Sequence, residues 1–170
     1  MSSIHMMDTG AIRSSFRWSR ALWTFAAAYA AITVVATAFC LGVSALIGGG
    51  RTVEPLDDPG YQLAEKLLPA LNLAVWTPFA ALYFRGRAPG PELRREAWAL
   101  GALWLAAALP VDYLGFVVLP SPISLSAHDF YLGQFPWIYL IYAAVLASPA
   151  CLLGMRLRLT PSRRSPPGSR

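Results

Sequence analysis

The sequence predicts an all-α membrane protein, a four-transmembrane-helix bundle with both termini cytoplasmic. Three observations carry this expectation. Of the 170 residues, 56% are hydrophobic and only 14% charged, a balance too apolar for an ordinary soluble domain. The apolar residues fall into four runs, each long enough at 1.5 Å per residue to cross a hydrocarbon core of ~30 Å. The basic residues gather in alternate gaps between those runs.

Residues 1–20 form a basic N-terminal segment carrying Arg13, Arg17 and Arg20. The first run, 21–47, contains Ala36-Thr37-Ala38, the small-residue pattern of a signal-peptide cleavage site. It then continues through Phe39 to Ile47, which favours a permanent span, and bulky Phe39 before Cys40 argues against a lipoprotein signal. The second run, 63–84, holds Glu65, Lys66 and Asn72 as well as Pro69 and Pro78. The third spans 97–119 and includes Pro110 and Asp112. The fourth, 135–155, opens with Phe135-Pro136-Trp137-Ile138-Tyr139, with proline in the first turn, where its missing N–H costs little. Residues 156–170 form a basic cytoplasmic tail rich in Pro, Ser and Arg, expected to be disordered. In lipid every backbone polar group must be satisfied within the segment, and the runs lack the alternation of barrel strands, so helices are expected throughout.

Apart from Arg51 and Lys66, every Lys and Arg precedes the first run, separates the second from the third, or follows the fourth. The other gaps hold acids: Glu54, Asp57 and Asp58 in one, Asp129 beside His128 in the other. The positive-inside rule therefore puts both termini in the cytoplasm. Trp18, Trp23, Tyr83 and Trp98 are expected at the inner interface, with Tyr61, Tyr131, Trp137 and Tyr139 at the outer one.

Asp112 is the main functional candidate. Residues 97–109 span only about 20 Å, so the third helix has to continue through Pro110 and Asp112 to cross the core. An ionised acid there costs ~2.5 to 3.5 kcal/mol on insertion scales and needs a partner or water. Lys66, at a similar depth on the second helix, is the expected partner, the second and third helices being taken as packed antiparallel neighbours. Asn72 and Glu65 are close enough in depth to join the site.

Small residues four apart, Ala27 with Ala31, Ala38 with Gly42, and Ala143 with Ala147 and Cys151, are expected to pack the bundle internally. Cys40 and Cys151 lie at depths too different for a disulfide, and no zinc, iron–sulfur or haem ligand set is present. No metal and no cofactor are expected. His128 and Asp129 form a weak outer-loop candidate for metal or base chemistry; Ser126 to Asp129 equally matches a helix-capping box. Trp137, Tyr139 and Tyr142 fit an interfacial belt better than a quinone or lipid slot.

No nucleotide-binding, hydrolase or repeat motif occurs, and nothing points to nucleic acid. The expected function is that of a small non-enzymatic accessory or scaffold subunit in the cell membrane. Its partners would be the bilayer and other membrane proteins or copies of itself. An oligomeric transporter of a small solute or ion using Asp112 is the alternative. An enzyme acting on lipid or quinone comes third.

Overall fold

The computed structural model describes residues 16–47, 55–87, 91–120 and 124–159. Four long helices account for most of them: α1, Trp18–Ile47; α2, Pro59–Tyr83; α3, Pro91–Asp112; and α4, Trp137–Leu159. A 3-10 turn, Pro55–Asp57, precedes α2, and π-helical turns at Tyr113–Val118 and Asp129–Gly133 lie between α3 and α4. No strand occurs among the described residues, so the all-α expectation holds. His5, Arg13, Arg51, Glu54 and the tail from residue 160 lie outside the described residues, together with the readings that rest on them.

Three segments are long and apolar enough to cross a membrane: Trp18–Ile47, Glu92–Val118 and Trp137–Arg158. The second runs through Pro110 and Asp112, as its length requires, and the π-helical turn carries it on past the acid. α2, read from the sequence as a further span, is not among them. Its Glu65, Lys66, Asn72 and two prolines dilute its apolar character. It packs along both α1 and α4, and a helix flanked by protein needs less lipid-compatible surface.

Local chemistry sets where the helices begin and end. Asp58 caps α2, its Oδ1 accepting from the N–H of Gly60 at 2.7 Å and of Tyr61 at 3.1 Å, with Pro59 at the first helical position. After α2 the chain reverses at Gly86, whose φ of 83° is the left-handed region that suits glycine. α3 starts on Pro91 with Glu92 in its first turn, and α4 ends with Arg156 and Arg158, each charge complementing the helix dipole. Half of the capping box at Ser126 is formed: Ser126 Oγ accepts from the Asp129 N–H at 3.1 Å, while Asp129 Oδ2 accepts from the Ser126 hydroxyl at 2.7 Å in place of its backbone N–H.

Packing departs from the sequence expectation in three places. α2 and α3 are not packed as backbone neighbours; α2 lies on α1 and α4, α3 lies on α4, and α2 meets α3 through the rings of Trp76 and Trp104, 5.2 Å apart. The close backbone approaches are made by glycines other than those expected. A Cβ on Gly60 would sit 2.3 Å from Ser44 Cα, and one on Gly101 would sit 2.1 Å from the Leu146 carbonyl oxygen. Ala38, Gly42, Ala143 and Cys151 instead face outward, while Ala21, Thr24, Ala28 and Ile32 form the buried face of α1. Third, Tyr83 is 1% exposed and belongs to the core, not to an interfacial belt.

Tyr83 organises one end of the molecule. Its hydroxyl accepts from the Arg17 N–H at 3.3 Å and donates to Glu96 Oε1 at 2.6 Å, while Arg87 forms an ion pair with the same carboxylate. Arg156 donates to the Ala81 carbonyl at 3.5 Å. These contacts gather the start of α1, the end of α2, the start of α3 and the end of α4. The arginines at the start of α1, in the turn after α2, at the start of α3 and at the end of α4 therefore collect at one end, and Trp76, Trp104, Leu100 and Val145 form the core above it.

Candidate ligand-binding cavity

Each helix contributes an inward stripe, and the stripes converge on a cavity of about 350 Å³ away from the basic end. On α3 the buried positions beyond Glu96 are Ala97, Leu100, Gly101, Trp104 and Ala108. One further turn along that face is Asp112, so helical periodicity alone carries the acid inward. On α2 the buried residues Gly60, Ala64, Leu68, Asn72, Trp76 and Ala80 recur four apart. That spacing drifts by about 40° per step on a 3.6-residue helix, turning the stripe around α2 so that it serves both α1 and α4. Ile138, Tyr142 and Val145 form the inward face of α4 here.

The walls are mainly apolar, with Ile32, Ala36, Leu68, Ala108, Phe116, Ile138 and Val145 among them. Asp112 is the central polar group. Its Oδ1 accepts a hydrogen bond from the Tyr29 hydroxyl at 2.5 Å, joining α3 to α1. The Tyr142 hydroxyl lies close to the same carboxylate, and it is buried with no partner in hydrogen-bonding geometry. Most buried polar groups in proteins are satisfied, so an orphan hydroxyl facing a cavity marks a place where a ligand group can bond. Nearby Asn72 is occupied: its amide nitrogen donates to the Leu68 carbonyl at 2.9 Å and its oxygen accepts from Trp76 Nε1 at 3.2 Å. Gln134, 7% exposed, also lines the space. At the far end Ser44 Oγ donates to Asp58 Oδ1 at 3.2 Å.

On the α1 side the rim consists of Thr33, Thr37 and Leu41, a stripe four residues apart that is exposed on the outer surface of the protein and also lines the cavity. No Lys, Arg or His among the described residues lines it. Its volume falls at the small end of the range for small-molecule sites, and its composition, apolar walls with a few convergent polar groups, is typical of them.

Of the residues singled out from the sequence, Asp112 and Asn72 share this cavity and Lys66 and Glu65 do not line it. The expected Lys66–Asp112 ion pair is not formed. Lys66 is exposed, and the ion pair among the described residues is that of Arg87 with Glu96. The reason is rotational: Lys66 is two residues from both Ala64 and Leu68, hence ~200° from the buried stripe. Among the outer-loop candidates, His128 is exposed and Asp129 is engaged by Ser126. No cluster of three metal-ligating side chains occurs among the described residues. The sequence reading missed Tyr29 and assigned Tyr142 to an interfacial belt. Tyr142 was findable, since it lies four residues from Ile138 and three from Val145 on one helical face; Tyr29 sits at the edge of the Ala21–Ile32 stripe and carries no such signal. Comparison with protein-family models, curated proteins and solved structures returns no match.

Proposed function

We propose that the protein is an integral membrane protein that binds, and in a lipid bilayer moves, a small and largely apolar molecule anchored at Asp112. The observation that carries this is the acid itself: a carboxylate held by Tyr29, beside an orphan Tyr142 hydroxyl, opening into an apolar cavity of about 350 Å³. A purely structural acid would be enclosed by its partners; this one is left facing space. In this reading α2 crosses the membrane with the other three helices, protected by them, and the arginine-rich end lies in the cytoplasm.

The test is native mass spectrometry of the protein released from its own membranes. A bound small molecule is expected on the wild type and absent from Asp112→Asn at equal protein recovery; an empty wild type, together with unchanged solute flux into vesicles carrying the variant, would refute the reading. A second reading, an accessory subunit that binds other membrane proteins, is favoured by the outward-facing Ala143 and Cys151 on α4. It predicts that Ala143→Leu releases a defined partner during purification while the cavity ligand stays bound.

A further inference from the structure

Given an anchored apolar ligand, the charge of that ligand can be read from what surrounds the anchor. Asp112 and Asp58 line the cavity and no Lys, Arg or His among the described residues does, so none of the described walls supplies a counter-charge to Asp112. Asp58 is already committed to the α2 cap. Aromatic rings share the cavity with Asp112: Tyr29 and Tyr142 stand beside it, and Trp76, Phe116 and Phe130 line the same space. Trp76 packs its ring 5.8 Å from Phe25 and 5.2 Å from Trp104, which fixes its position from behind. Phe116 and Phe130 stack at 5.9 Å with an interplanar angle of 12°. A single carboxylate among aromatic rings is the arrangement that recognises an organic cation, the rings attracting it through their negative faces and the acid supplying the charge. It suits an anion poorly, because the Asp112 carboxylate and the ring faces would oppose it.

We propose that the natural ligand is a lipophilic monocation, an amine or quaternary ammonium on an apolar body, with its charged centre between Asp112 and the surrounding aromatic rings. This rests on the small-molecule reading of the cavity. The orphan Tyr142 hydroxyl then serves as a hydrogen-bond partner for a protonated amine, accepting from its N–H; for a quaternary head it is left to the ligand's polar substituents.

The experiment compares two nearly isosteric probes of opposite charge, tetraphenylphosphonium and tetraphenylborate, by equilibrium dialysis against the protein in lipid nanodiscs, with empty nanodiscs subtracted and each affinity referred to the probe's mole fraction in the lipid. The wild type is expected to bind the cation at least ~10-fold more tightly than the anion, and Asp112→Asn to lose most of that preference. Thr37→Phe, a change at an exposed rim position with no buried contact to lose, is expected to weaken the cation by a comparable factor and locates the site even if Asp112→Asn does not fold. Equal affinity for both ions would overturn the cation assignment while leaving the small-molecule cavity standing. A preference for the anion, a preference that survives in Asp112→Asn, or cation affinity untouched by Thr37→Phe would each overturn the assignment too. Failure of both ions and of neutral tetraphenylmethane to bind would overturn the cavity reading itself.

Discussion

Tyr29 and Tyr142 bring two hydroxyls to one carboxylate with different consequences for stability. Removing the Tyr29 hydroxyl in Tyr29→Phe leaves Asp112 without its hydrogen bond and is expected to cost about 1–3 kcal/mol, seen as a lower midpoint of thermal unfolding in detergent. Tyr142→Phe removes a buried hydroxyl that has no partner, so stability is expected to hold or to rise slightly while ligand retention falls. A Tyr142→Phe protein that loses as much stability as Tyr29→Phe would show that the two hydroxyls are equivalent. Asp58 makes a comparable point at a helix end. It satisfies two N–H groups of α2 and takes a hydrogen bond from Ser44, so Asp58→Ala is expected to destabilise by about 0.5–2 kcal/mol. The sequence exposes Asp112 at this scale because a charged residue in an apolar run is conspicuous. Its partner was not legible. Matching depths along two helices selects Lys66, but depth says nothing about which way a residue faces, and a tyrosine in a membrane helix looks like any other aromatic.

At the scale of the element, close helix contact depends on single positions. Gly101 on α3 meets the Leu146 carbonyl so closely that any side chain must separate α3 from α4. Gly101→Val is therefore expected to cost about 1–3 kcal/mol or more through overpacking, whereas Gly42→Val, at a position with nothing near it, is expected to be tolerated. Measuring both in one unfolding series separates packing from a general dislike of valine. The Glu96 carboxylate ties three elements together through Tyr83 and Arg87; its side chain is 8% exposed and that of Arg87 17%. Glu96→Ala removes the carboxylate that the Tyr83 hydroxyl and Arg87 share, with an expected loss of about 1–3 kcal/mol. Helix existence was plain from the lengths of the apolar runs. Helix neighbours were not, because a short connection between α2 and α3 suggests adjacency, whereas bulky Trp76 and Trp104 hold those two helices apart and let smaller faces pack elsewhere.

For the whole molecule, hydrogen bonds and one ion pair fasten the basic end, and the opposite half encloses the cavity. A C-terminal fluorescent-protein fusion is expected to be fluorescent in a bacterial host and an alkaline-phosphatase fusion at the same position inactive; the reverse would invert the proposed orientation. The division of labour between the two ends was partly readable from the arginine clusters. The cavity was not, since empty space has no residue to announce it and arises only when the four stripes meet.

The exposed rim of Thr33, Thr37 and Leu41 decides where a ligand comes from. If these helices lie in a bilayer as proposed, that rim faces acyl chains, not water, and the relevant reservoir is the membrane phase. Occupancy then follows the ligand's mole fraction in lipid, which its partition coefficient fixes. Two molecules with identical contacts in the cavity would show different apparent affinities when referred to their aqueous concentrations. Doubling the lipid at constant total ligand would lower occupancy by dilution alone.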